Sequence, residues 1–350
     1  MNENNFNRFL SFMFIIGLIA SAVVFNASKP RIMILHSYHP DYPWTRDIDA
    51  GIQRISKNWT GYALTLHYMD TKKHSDKEWL RHAGIGARRA IDRFNPDVLI
   101  AVDDLAQDLA ARYYVDHPCI KIVFSGINSS AVSYGYDGAQ NVTGIYEWKP
   151  LNAVKEMIIN FESAKYKPND TPNIVYLMDP SPSMAGDRNF FETFNWAPLI
   201  FKGSMIVKNF KEWKIMVSKL DQLGVDYLLV ANYRKLPRSD EDSRLPSPQE
   251  IMKWTEANST PPVIGLNIFN VEDGGMIAVG ASPFEQGEIA AKMAEIIVKQ
   301  NISPKDIPKV VNRQYIVAVN QQLLKKRNLK LPQIYEAFAR VTSTYVEGYQ

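Results

Sequence analysis

The stretch Asp97-Val98-Leu99-Ile100-Ala101-Val102 decides how this chain folds. After Asp97 it is apolar without interruption, so neither face of a strand built from it can meet water. That is how a strand buried on both sides of a parallel sheet reads. Working outward, Lys77–Phe94 reads as a helix before it, and another helix starts at Asp104. A strand follows at Ile120–Phe124. Upstream, Arg31–His36 is a short β-type run and Tyr62–Met69 alternates like a strand. Between them a helix starting near Trp44 or Thr45 carries Ile48, Ile52 and Ile55 at helical spacing. Strand and helix alternate with short connections, which predicts a parallel, doubly wound sheet.

The series then restarts. A helix over 149–163 leads into a polar loop at 166–172. Strands are expected at Asn173–Met178, Leu199–Val207, Val225–Val230, Pro262–Leu266, Ile277–Gly280 and Tyr315–Val319. Helices are expected at 184–196, 210–223, Phe284–Gln300 and Gln321–Asn328. Two α/β sheets of comparable size are the economical reading.

Composition fits this and excludes other classes. The chain has 350 residues, 46% hydrophobic and 22% charged, with a net charge of +3. A disordered chain would be less apolar, and a dedicated nucleic-acid binder would concentrate Lys and Arg, so nucleic acid is not an expected partner. Cys119 is the single cysteine, which leaves no disulfide framework and no cysteine-built zinc site; its place at the edge of an apolar run suggests a buried thiol. Residues Phe9–Phe25 run without a charge and end near Ala20-Ser21-Ala22, the small-residue pattern of a signal-peptidase site. Residues 1–27 are therefore expected to be a signal peptide or an N-terminal membrane anchor, and the remainder to be exported.

In open α/β sheets ligands bind beyond the carboxyl ends of the strands. Ser37, Tyr38 and Trp44 follow the first strand, Asp103 and Asp104 the third, and Ser125, Gly126 and Asn128 the fourth. Asp179, Asn232 and Asn267 hold the same place in the second half. Hydroxyls, amides and aromatics with a few carboxylates suit a small-molecule pocket; each is equally a candidate cap or turn residue. No GxSxG elbow, HExxH helix or phosphate-binding glycine loop is present, so neither catalysis nor a cofactor is expected. His36 and His39 with Asp41 and Asp47 form only a weak metal pattern.

The segment Ile34-Leu35-His36-Ser37-Tyr38-His39-Pro40-Asp41-Tyr42-Pro43-Trp44-Thr45 resembles the opening of the ABC-transporter substrate-binding protein family. Further similar words follow in order. They include Asp103-Asp104-Leu105-Ala106, Val123–Asn128, Asn141–Glu147, Pro262–Gly265, Gly280-Ala281-Ser282-Pro283, Gln286-Gly287-Glu288 and Leu329-Lys330-Leu331-Pro332. The resemblance implies a type I periplasmic-binding fold: two doubly wound parallel-sheet lobes joined by a hinge, with ligand captured in the interlobe cleft by hinge closure. One lobe would be 31–145 plus 263–305 and the other 146–262 plus 306–335, with 336–350 a C-terminal tail. Asn141–Glu147 and Pro262–Leu266 would be hinge segments.

Some members of that family bind aromatic amino acids. The resemblance then implies that Ser125 takes a carboxylate, that Asp103 or Asp179 takes an ammonium, and that Trp44, Tyr38 or Tyr146 forms an aromatic wall. The function implied is a periplasmic solute receptor delivering a small organic ligand to an ABC permease. The alternative is a sensory binding protein that presents ligand to a membrane kinase or cyclase without transport.

Overall fold

In the computed structural model, residues 3–74, 76–128, 130–163, 171–180 and 183–347 are described. They divide into two compact units. The first comprises 1–126, 131–145 and 287–309, and the second 127–130, 146–286 and 310–350.

The first unit opens with helix α1 (Glu3–Ala27), whose stretch Leu10–Ala27 has a mean hydropathy of 2.2 and is wholly exposed. At about 1.5 Å per residue such a helix is long enough for a hydrocarbon core, and one so near an N-terminus equally fits an export signal. Then come β1 (Arg31–His36), α2 (Pro43–Ser56), β2 (Ala63–Tyr68), α3 (Lys77–Phe94), β3 (Val98–Val102), α4 (Asp104–Leu109), β4 (Lys121–Ile127) and β5 (Val142–Tyr146). The sheet order within this unit is β5-β4-β3-β1-β2. Strand β3 is central and buried along its whole length, parallel to β1 and β4. Each large apolar side chain buried there contributes roughly 1.5–3 kcal/mol.

The second unit runs through α5 (Leu151–Ile159), β6 (Glu162–Ser163), β7 (Asn173–Met178), α6 (Ser183–Thr193), β8 (Ile200–Ile206), α7 (Phe210–Lys219), β9 (Tyr227–Val230), α8 (Pro248–Asn258), β10 (Val263–Gly265), α9 (Phe269–Glu272) and β11 (Ile277–Ala281). Helix α10 (Pro283–Gln300) begins in this unit and returns the chain to the first. The short strand β12 (Val310–Val311) precedes β13 (Tyr315–Asn320), α11 (Gln321–Lys326), β14 (Leu329–Lys330), α12 (Gln333–Val341) and β15 (Tyr345–Val346). The seven-stranded sheet has the order β15-β13-β11-β10-β9-β7-β8. It is parallel from β8 to β11, but β13 runs antiparallel to β11.

Several sequence expectations change. Residues 263–286 do not return to the first sheet. Strands β10 and β11 lie inside the second, where Ile264 pairs with both Leu229 and Ile277, so Pro262–Leu266 is a core strand segment and not a hinge. Residues 336–347 are not a loose tail either: α12 buries Tyr335 and Ala339 in the second core, and β15 pairs with β13. Most of the loop expected at 166–172, and residues 348–350, lie outside the described residues. Cys119 is exposed, because it stands in the turn before β4, where the backbone N–H groups of Cys119 and Ile120 donate to Nδ1 of His117.

Close backbone approach fixes one packing contact of the first unit. A Cβ on Gly287 would lie 2.0 Å from the carbonyl oxygen of Ile48, so α10 seats on α2 only because that residue is glycine.

Candidate functional site

At the carboxyl end of β3 the chain turns sharply into α4, and Asp103 makes the turn. Its φ of 67° and ψ of 164° fall in a region that essentially only glycine occupies, at a cost of about 1–3 kcal/mol. The carboxylate does not cap α4, which would have been the structural explanation for an Asp at this point. Its Oδ1 instead accepts a hydrogen bond from the indole Nε1–H of Trp44 at 2.9 Å. The backbone N–H of Asp103 donates to the carbonyl of Ser125 at 2.8 Å, which ties the turn to β4.

Gly126 faces this pair. A Cβ there would come 3.0 Å from Oδ1 of Asp103 and 3.7 Å from the Trp44 ring, and the residue's own φ is 66°. A side chain at 126 would be strained by that φ and would make the carboxylate give by a few tenths of an ångström. Trp44 stands in the first turn of α2, half-buried, after Pro43 at the helix start. The first unit thus presents one acid and one indole, held at a strand end by three separate elements.

The neighbouring residues sort into support and rim. Ser37 is fully buried; its hydroxyl donates to the carbonyl of Val102 at 2.8 Å and accepts from the N–H of Ala106 at 2.8 Å. It ties β1, β3 and α4 together, and its only proton is already donated within the fold. Ser125 and Gly126 lie within β4, which runs on to Ile127, and Ser125 is fully buried. Asp104 accepts from the Tyr134 hydroxyl at 2.5 Å. Tyr38 is half-buried on the rim, packed edge-on to Tyr42 with a ring separation of 5.4 Å, and the Lys72 ammonium lies 4.8 Å from its ring.

His36 and His39 do not converge on a metal. His36 Nε2 meets Asp49 at 2.8 Å, while His39 Nδ1 meets Asp70 at 3.3 Å. Among the described residues no group of three or more His, Cys, Asp or Glu side chains could hold a metal ion.

The second unit carries its own polar cluster, centred on a residue that strand-end reasoning misses. Lys149 is only 5% exposed. Its ammonium donates to Oδ1 of Asn267 at 2.9 Å and to Oδ1 of Asn128 at 3.4 Å, and lies 3.7 Å from the Glu147 carboxylate. Asn128 closes the ring by donating to Glu147 at 3.0 Å. A cation buried this deeply persists because a counter-charge and two amide oxygens replace its water shell.

Asn267 donates from its side chain to the carbonyl of Ala231 at 3.3 Å, which fixes it over the end of β9. The backbone N–H of the buried Asp179 donates to the carbonyl of Asn232 at 3.2 Å, so the two strand ends they occupy are adjacent. Tyr146 is half-buried beside the exposed Trp148, ring centroids 6.0 Å apart, and Trp148 in turn packs on Phe190 at 5.1 Å.

A second network in this unit surrounds Asp273. It accepts from the Tyr233 hydroxyl at 2.6 Å, from Gln249 at 3.0 Å and from two nitrogens of the Arg234 guanidinium. Burial, reinforced by the Asp273 carboxylate, pushes the Tyr233 hydroxyl well above its ordinary range, so it stays a proton donor. Arg234 also lies 4.0 Å over the Phe269 ring. The sequence signal for both clusters was slight: a lysine between Trp148 and Pro150, and an arginine just past a buried strand.

Two α/β units with parallel sheets and polar strand ends are the architecture of the type I periplasmic-binding proteins, and solved structures of that class match the chain. A ligand-free, open substrate-binding protein with adhesive properties from Clostridium difficile matches with a TM-score of 0.63 at 15% identity, covering 91% of this chain and 100% of that one. An ABC domain from Streptococcus pneumonia, solved with L-Trp, matches with a TM-score of 0.58 at 16% identity and the same coverage. A conserved domain protein from Vibrio cholerae also scores 0.58, at 14% identity and the same coverage. The chain therefore has the fold of the periplasmic substrate-binding proteins.

The family model described as ABC transporter substrate binding protein matches residues 239–340, in keeping with the resemblance seen in the sequence. That match includes the words from Pro262 to Pro332, and those between Ile34 and Glu147 lie outside it. No curated protein matches the chain.

Proposed function

We propose that this chain is an extracytoplasmic solute-binding protein of an ABC-type importer, and that it captures a small, amino-acid-like or aromatic ligand. The observation that carries the reading is Asp103: a carboxylate kept in a glycine-only backbone conformation, not capping its helix, and bonded to an indole at a strand end. Strain of this kind collects where a side chain must stand in one place. An acid beside an aromatic face suits a ligand with an ammonium group and an apolar body.

On this reading Asp103 takes the ammonium and Trp44, with Tyr38 on the rim, supplies the aromatic wall. The family match at 239–340 supports the importer. The exposed apolar helix at the N-terminus supports export.

The test is a thermal-shift screen of the protein against amino acids, nucleosides, sugars and small carboxylates. L-Tryptophan heads the panel because one protein of the same fold was solved with it. A ligand at a hundred times its Kd stabilises the native state by about 2.7 kcal/mol. A positive shift that disappears in Asp103→Asn and Trp44→Ala supports the reading, and one that both variants retain refutes it.

A further inference from the structure

We propose that the groove between α3 and the end of α4 with the turn after it is a second binding site, taking a small molecule that joins a phosphate or carboxylate to an apolar body. The cavity has a volume of about 320 Å³, at the small end of ligand sites. Its α3 wall carries Lys77, Arg81 and Arg88, which with Leu80 and Gly84 recur at the three-, four- and seven-residue spacings of a single helix face. Leu109 and Tyr113 form the opposite wall. Gly84 is the floor: a Cβ there would lie 3.0 Å from the Leu109 carbonyl oxygen.

The cations are set up for an anion. The Arg88 guanidinium donates to the Leu109 carbonyl and lies 4.5 Å from the Tyr113 ring centroid, so its orientation is fixed before any ligand arrives. Lys77 and Arg81 stand four apart near the positive end of the helix dipole, where like charges repel each other and cations are disfavoured.

No carboxylate lines the cavity. Three nearby acids are engaged elsewhere: Asp76 caps α3 through the Trp79 N–H, Asp108 pairs with Arg112 at 2.8 Å, and Asp92 accepts from Tyr114 at 2.6 Å, while Glu78 in the first turn of α3 does not line the cavity. Among the described residues Lys77, Arg81 and Arg88 make no ion pair. Tyr113, 64% exposed, offers a ring to the apolar part of a ligand.

Isothermal titration of the full chain with phenyl phosphate, benzoate and inorganic phosphate tests this, with the first two separating a phosphate from a carboxylate as the anchoring group. One of the two aromatic anions should bind with one-to-one stoichiometry and more tightly than inorganic phosphate. Its affinity should fall about tenfold or more in Lys77→Gln/Arg81→Gln and clearly in Tyr113→Ala, both surface changes. Trp44→Ala should leave it unchanged, which separates this site from the strand-end ligand reading. Absence of binding by both aromatic anions, equal binding of inorganic phosphate, or an affinity unchanged in the double variant would overturn the proposal.

Discussion

Replacing Asp103 by glycine and, separately, by alanine isolates the strain at the turn into α4. Both variants lose the carboxylate and the hydrogen bond from Trp44, so those effects cancel in the comparison. What differs is a Cβ at φ 67° and ψ 164°. At an ordinary element position glycine is less stable than alanine by about 0.5–1 kcal/mol, because its unfolded chain has more freedom to lose. Here the strain of about 1–3 kcal/mol that alanine retains and glycine sheds opposes that term. The order should therefore invert, with Asp103→Gly more stable than Asp103→Ala by an amount of up to about 2.5 kcal/mol. Urea unfolding with equal m values would read this as a higher midpoint for the glycine variant. A midpoint for alanine equal to or above that of glycine would refute the claim of strain, and with it the argument that the carboxylate is held there for a purpose.

Other outcomes follow from the packing and the charge networks. Gly287→Ala should cost more than about 3 kcal/mol or prevent folding, since the backbone of α2 occupies the space; circular dichroism melting would show it, and a loss under 1 kcal/mol would contradict the helix contact. Lys149→Met should cost about 3–5 kcal/mol by stranding the Glu147 carboxylate, and Lys149→Met/Glu147→Leu should recover much of that in the same denaturation assay. Glu256 is buried, and desolvation outweighs the opposing Arg327 charge to raise its pKa. The folded state therefore holds the proton above the unfolded pKa, and stability from this group falls as pH rises from about 4.3 through the raised value. Glu256→Gln should remove that slope from the stability–pH curve, and an unchanged slope would assign it elsewhere. Gly126→Ala should weaken any ligand that depends on Asp103, because its Cβ competes for the place of the carboxylate.

The fold was legible where one segment's own pattern is enough. The bounds of α3 and β7 follow from their apolar periodicity and continuity. Strand β10 was harder because it is three residues long and owes its place to neighbours far along the chain, such as Leu229 and Ile277. Helix α8 escapes a periodicity reading because two of its four buried residues, Thr255 and Glu256, are polar. Of the candidate site, strand-end position singled out Trp44 and Asp103 without foreseeing the hydrogen bond between them. It could not distinguish them from Ser37, whose role depends on two hydrogen bonds to distant backbone groups. Lys149 stayed hidden because a lysine ordinarily reads as surface, and only the converging Asn128, Glu147 and Asn267 make its burial tolerable.

The turn at Asp103 bears on how this protein would respond to directed evolution. Aspartate and glycine codons differ by a single base, and the backbone there already suits glycine. A library selected for heat resistance alone should drift toward glycine at 103, while one selected for ligand capture should hold the aspartate. The two selections pull one codon in opposite directions, and sequencing position 103 after each would reveal which demand shaped it.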